Sequence, residues 1–183
     1  MLDLSLRTFF QRLAGPDAPG SGSCAAVTAL AGVSLMEMAA RLGGVDGAPL
    51  SKARGVLEEL LPKDAEVLAE VLPLLKEIGP DGNSGEWNDA LVRAAQVPLA
   101  VAESALAALQ WAAGAAGRMP LPLVCDLKCA ALSCHAGLQS AVLLAELNAS
   151  LLRDDDALAA RLAKRAADAS EAAGALLDGV LAK

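Results

Sequence analysis

The stretch "PDAPGSGSCAAVTALAG", Pro16 to Gly32, decides the fold class because it supports two incompatible readings. Gly20, Gly22 and Ala25 satisfy G-x-G-x-x-A, the dinucleotide fingerprint that opens a βαβ unit. The same glycines can instead form a bare corner at the start of a helix, where free N–H groups and the helix dipole favour an anionic or polar group. Context separates the two. The fingerprint requires a preceding strand, whereas Leu2, Leu6, Phe9, Phe10 and Leu13 recur at helical spacing and a Pro-rich turn follows them. The dinucleotide reading therefore falls. Two readings of the corner stay open: a turn and cap that binds nothing, with Ser21 or Ser23 capping, or a cradle for a ligand.

Downstream of the corner the apolar spacing stays near 3.6, and no alternating strand-like run appears. The pattern predicts a helix from about Cys24 to Leu42, then a loop at "GGVDGAP". A short helix capped by Ser51 is expected through Leu61, and a separate one across "PKDAEVLAEVLPLLKEIG" with Asp64 in its acidic first turn. After the loop "GPDGNSG", a long helix should run from about Glu86 to Ala116, kinked or divided at Pro98. "GRMPLPL" stops it. A further helix is expected from near Cys125 to Leu152, and Asp154 to Asp156 supply the negative start of a last one ending near Lys183. The fold class is all-α: a single domain over residues 1–183, an up-and-down bundle of long Ala/Leu-rich helices.

Composition narrows the function. The chain of 183 residues is 55% hydrophobic but 2% aromatic, so its core should bring helices unusually close together. A net charge of -7 opposes a nucleic-acid partner, which needs a concentrated positive field. The most apolar stretches are interrupted by Glu37 and Arg41, by Pro98, Glu103 and Gln110, or by Gln139 and Glu146, so no membrane partner is expected. Asp3, Arg7 and Arg12 do not fit a signal peptide. A cytoplasmic location follows, with four free thiols and a chance sequon at Asn148-Ala149-Ser150.

"VCDLKCAALSCHAGLQSAVLLAELN", Val124 to Asn148, is the second dense region. Cys125 and Cys129 share a helix face while Cys134 points nearly opposite, so they cannot converge on one ion, and no metal is expected. His135, alone on an Ala-rich helix, reads as a packed residue. Asp126, Ala130, Ser133, Gly137, Ser140, Ala141, Leu144 and Asn148 fall on one narrow face. That face suits a close helix contact or a ligand site equally well. Glu66 is explained by the helix dipole, and Asp64 is left open.

Four segments, in order, resemble the cyclodeaminase/methenyltetrahydrofolate cyclohydrolase family, which also forms the C-terminal part of formiminotransferase-cyclodeaminase. "PGSGSCAAVTALAGVSLMEMAARL" is similar to its P-G-G-G-S-x-A-A segment, and "DAEVLAEVL" from Asp64 to its D-A-x-A-F-x-x-V segment. "ALVRAAQVPLAVAESAL" resembles its V-P-L helix. "CDLKCAALSCHAGLQSAVLLAELN" resembles its long S-D-x-G-V-A helix, with Asp126 on the family Asp and Asn148 on the terminal Asn. There are departures: Ser21 stands inside the glycine triplet, Leu68 replaces the aromatic residue, Cys125 the Ser, and Leu144-Ala145 the Asn-Val pair. A Lys-rich, Tyr-containing segment is shortened to "RLGGVDGAPLSKARG", where Lys52 is the nearest substitute.

The resemblance implies a cytoplasmic homodimer that acts on folate-bound one-carbon units. The expected reaction is reversible hydrolysis of 5,10-methenyltetrahydrofolate to 10-formyltetrahydrofolate. Cyclisation of 5-formiminotetrahydrofolate with loss of ammonia is the alternative, and a non-catalytic folate-binding or dimerisation module a third. Asp126 and Asp64 are the implied catalytic carboxylates, with Gly20, Ser21, Gly22, Ser23, Ser133 and Gly137 binding substrate. No cofactor is implied, only the tetrahydrofolate substrate.

Overall fold

Small side chains set the spacing of the helices. The computed structural model describes residues 2–15, 20–79 and 82–183. The described residues form six α-helices, α1 (Leu6–Leu13), α2 (Gly20–Gly43), α3 (Ala48–Ile78), α4 (Ser84–Ala115), α5 (Leu121–Ser150) and α6 (Asp156–Leu181), with a 3₁₀ turn at Ala116–Arg118 and no strand. The Pro-rich turn at 16–19 and residues 80–81 of the loop after α3 lie outside the described residues.

Side-chain caps fix several helix starts. Ser5 Oγ accepts the Thr8 N–H, Asn83 Oδ1 accepts those of Gly85 and Glu86, and Asp155 Oδ1 accepts that of Leu158. The largest departure from expectation is α3, one helix of 31 residues instead of two. It starts beside Asp46, whose carboxylate accepts the Ala48 N–H, and Pro49 occupies its first turn. Ser51 is not a cap: its hydroxyl donates to Glu37 on α2 at 2.8 Å. Pro62 and Pro73 both lie inside the helix. Leu57, Leu61 and Val71 on one buried stripe hold it against the bundle through both prolines.

Neighbouring helices run antiparallel. Ser23 meets Asp64 while Glu37 meets Arg54, which sets α3 against α2. Trp87 Nε1 donates to Leu151 O, and Cys134 Sγ to Ala105 O, which sets α5 against α4. Lys128 Nζ donates to Leu181 O and Ser170 Oγ to Gln139 Oε1, which sets α6 against α5. The α2–α5 crossing is the closest. Gly137 lies on the backbone of Ala25 and Ala29, and Gly32 on that of Ala130 and Cys134, with no room for a Cβ at either glycine. The buried core joins α2 to α6 and is rich in alanine.

Three helices, Gly20–Gly43, Ser84–Arg118 including the 3₁₀ turn, and Leu121–Ser150, are long and apolar enough to cross a membrane by length and composition. The polar interruptions in the sequence do not shorten them below that length. About half of each apolar window is buried against other helices, at 50%, 50% and 44%. Their apolar character is thus in large part that of a helical core.

Candidate functional site

The glycine corner starts α2 with Gly20 in the left-handed region, at φ +87°. Here the first N–H groups of α2 have no partner within the helix. The side chain that meets them comes from α3. Ser23, fully buried, donates its hydroxyl to Asp64 Oδ2 at 3.1 Å, and its main-chain N–H also favours the ionised carboxylate. Gly22 is required for this approach, because a Cβ there would overlap the Asp64 carboxylate. The corner's glycines therefore serve a carboxylate of the chain itself.

Asp64 falls on the inner stripe of α3. Leu57, Leu61, Asp64, Leu68, Val71 and Leu75 recur at steps of three and four, so the acid occupies a position that elsewhere holds Leu or Val. Burial raises its pKa above the usual 3.8, outweighing the two Ser23 hydrogen bonds that pull the other way. The stripe spacing was present in the sequence; a break assumed at Pro62 had placed Asp64 in a first turn instead.

A cavity of about 260 Å³ opens beside this carboxylate. Ser21, Gly22 and Asp64 form its polar corner, Asn148 a second polar point, and Leu68, Leu72 and Leu75 of α3 with Leu144 and Leu147 of α5 its apolar walls. Ala94 and Pro98 of α4 close another side. Pro98 has no N–H to give the Ala94 carbonyl, so the helix ladder leaves that acceptor to another donor. An apolar slot with a few convergent polar groups and one perturbed acid is the ordinary form of a small-molecule site.

The other expected residues lie elsewhere. Asp126 is near the start of α5, about 33 Å along the helix axis from Asn148 at 1.5 Å per residue. Within one chain it does not reach the cavity. Ser133 Oγ donates back to Cys129 O at 3.1 Å, and α2 backbone fills the space over Gly137 that a ligand would need. The narrow face on α5 is thus chiefly a helix contact. Cys134 is buried away from exposed Cys125 and Cys129, its thiol pushed up to about 12 by burial. His135 pairs with Gln139, and burial lowers its pKa. Asn148, Pro98 and the leucines of the walls were not expected as site residues, although Asn148 and Leu144 share the face singled out on α5.

The family model described as Formiminotransferase-cyclodeaminase matches residues 5–168. The chain belongs to the formiminotransferase-cyclodeaminase family. The cyclodeaminase-family match spans the corner, Asp64, Pro98 and Asn148 together. Among solved structures, the chain is similar to formiminotetrahydrofolate cyclodeaminase from Thermotoga maritima, with 22% identity and a TM-score of 0.85 over 98% of this chain and 94% of that one. That likeness establishes the all-helical fold. No curated protein matches the chain.

Proposed function

We propose that the chain is a formiminotetrahydrofolate cyclodeaminase, which closes 5-formiminotetrahydrofolate to 5,10-methenyltetrahydrofolate and releases ammonia. Family membership and the shared fold with a protein named for that activity support this reading over the hydrolysis of the methenyl compound expected first. The observation that carries it is Asp64, a half-buried carboxylate of raised pKa on the wall of an otherwise apolar cavity.

The reaction needs one group that accepts a proton and returns it. The anilino nitrogen of the substrate attacks the carbon of the protonated formimino group, forming a new C–N bond and a tetrahedral centre that carries an NH2 group. Asp64 takes the proton from the attacking nitrogen. The same proton then passes to the amino group on that carbon, the C–N bond to it breaks, and ammonia leaves as the methenyl cation forms. A carboxylate whose pKa is raised by burial holds a proton more firmly than an exposed one, which suits this shuttle. Ser23 orients it from one side. The apolar walls accommodate a flat ring system, with Asn148 as a polar point for its edge. The cavity is small for an intact folate, so the benzoylglutamate tail extends outward.

The active unit is a homodimer, supported by exposed Leu121, Leu132, Leu143 and Leu147 along α5. Purified protein mixed with 5-formiminotetrahydrofolate should release ammonia as the methenyl absorbance grows. Absence of both, in protein that binds the substrate by calorimetry, would leave a binding module. Catalysed loss of methenyl absorbance without ammonia chemistry would restore the hydrolase reading.

A further inference from the structure

The cavity has a far end that the chemistry at Asp64 does not use. Leu75 of α3, Leu91 of α4 and Leu151 at the end of α5 line it there, and the chain carries one further feature just beyond each. Gly79 follows Leu75 by one turn, Trp87 precedes Leu91 by one turn, and Arg153 stands two residues after Leu151. Arg153 joins the other two. Its Nη1 and Nη2 both donate to Gly79 O at 3.3 Å, and its guanidinium lies 3.5 Å from the centroid of the Trp87 ring. Further bonds hold its main chain in place: Asn88 Nδ2 donates to Arg153 O at 2.7 Å, and Asn88 Oδ1 accepts the Arg153 N–H at 2.9 Å.

This half-buried cation has no carboxylate at ion-pair distance among the described residues. Its main chain and one face of its guanidinium are fixed, so the freedom that a flexible arginine loses on binding has already been lost in folding. The N–H groups between Nη1 and Nη2 go to Gly79. Nε–H and an outer Nη–H stay open, and that edge is the fork that takes the two oxygens of a carboxylate side by side. A ring stacked on the face leaves this edge clear.

The span fits the substrate. From Asp64 to Ile78 the rise of α3 is about 21 Å at 1.5 Å per residue. In the extended benzoylglutamate of a folate, the farther carboxylate is about 12 Å from the anilino nitrogen by bond lengths. The Asp64 side chain, with a hydrogen bond of about 3 Å at each end, accounts for most of the remainder. Leu72 and Leu151 are both exposed, so the cavity is open to solvent along the way.

We propose that Arg153 binds the farther carboxylate of the glutamyl tail and so makes the cavity select folates over the corresponding pteroates. The identity of the ligand rests on the proposed folate reading.

Calorimetry tests this with two compounds that have no ammonia to lose: 5-formyltetrahydrofolate, and 5-formyltetrahydropteroate, whose benzoate ends short of Arg153. Wild type should bind the first on the order of 10- to 100-fold more tightly, the range of a hydrogen-bonded charge pair. Arg153→Gln should abolish the difference by weakening the first compound alone. Arg153→Lys keeps the charge but not the fork and should recover only part of it. In the reaction, Arg153→Gln should raise KM for 5-formiminotetrahydrofolate more than it lowers kcat. Equal weakening of both compounds in folded Arg153→Gln protein makes the residue structural and overturns the proposal, as does an undiminished preference. If that variant does not fold, the wild type decides: a preference that shrinks with added salt upholds the tail site, and equal affinity overturns it.

Turnover separates this proposal from the cyclodeaminase reading. A wild type that prefers the folate but releases no ammonia refutes that reading and keeps the tail site. One that releases ammonia and binds both compounds alike does the reverse. Binding of neither compound overturns the tail site whatever the turnover.

Discussion

Asp64 does two jobs that conflict. As the acceptor at the start of α2 it should be ionised, yet burial favours the protonated form. Its folded pKa is raised, so the stability it contributes is whole below the ordinary value of 3.8 and is lost as pH rises through the folded pKa. Asp64→Asn removes that loss. The variant should melt above wild type at neutral pH, with the gap narrowing as the pH approaches 3.8, while ammonia release falls roughly 100-fold or more. In the wild type, the rate should climb with pH along a limb whose midpoint lies above that same value, because the shuttle starts from the carboxylate form. A midpoint unchanged in Ser23→Ala would argue against the hydroxyl's influence on the acid; loss of this bond should move it further upward.

Gly22 belongs to the same scale. A methyl group there displaces the carboxylate, so Gly22→Ala should lose activity like Asp64→Asn but also melt lower, by about 1–3 kcal/mol of overpacking. Circular dichroism melts separate the two variants.

Among elements, the α2–α5 pair shows why only part of the site could be read in advance. Helical periodicity located α2, α4, α5 and α6, because core-facing residues repeat near 3.6 in each of them. It also found the narrow face with Gly137. What periodicity lacks is the identity of the opposing surface, and here that surface is the backbone of Ala25 and Ala29. Gly137→Ala should therefore lower the melting temperature, at a cost of about 1–3 kcal/mol, and leave substrate affinity nearly unchanged in the folded fraction. A large rise in KM with an unaltered melt would restore the ligand role. Helix α3 errs for a different reason. Pro62 is a local signal for a break, while the packing that carries the helix past it, through Leu57, Leu61 and Val71, is long-range. That one misplaced boundary hid Asp64 on the inner stripe. The Ser23–Asp64 contact bridges 41 residues and could not be inferred from either segment alone.

At the level of the whole molecule, the bundle has unlike ends. One holds the glycine corner, Asp64, Asn148 and the cavity; the other holds Asp126 and the charged cluster of Glu37, Arg54 and Glu58. The homodimer proposed above would gain stability by mass action, so its melting temperature should rise with protein concentration in scanning calorimetry. The chain also has two tryptophans and no tyrosine. Trp111 donates to the Asp46 carbonyl at the far end, whereas Trp87 donates to Leu151 beside the cavity and lies under the Arg153 guanidinium, 3.5 Å from its ring centroid. Nature has thus placed one intrinsic fluorophore at each pole. In a Trp111→Phe protein, emission would report occupancy of the cavity with no dye attached, and the matching Trp87→Phe protein would stay silent to the same titration.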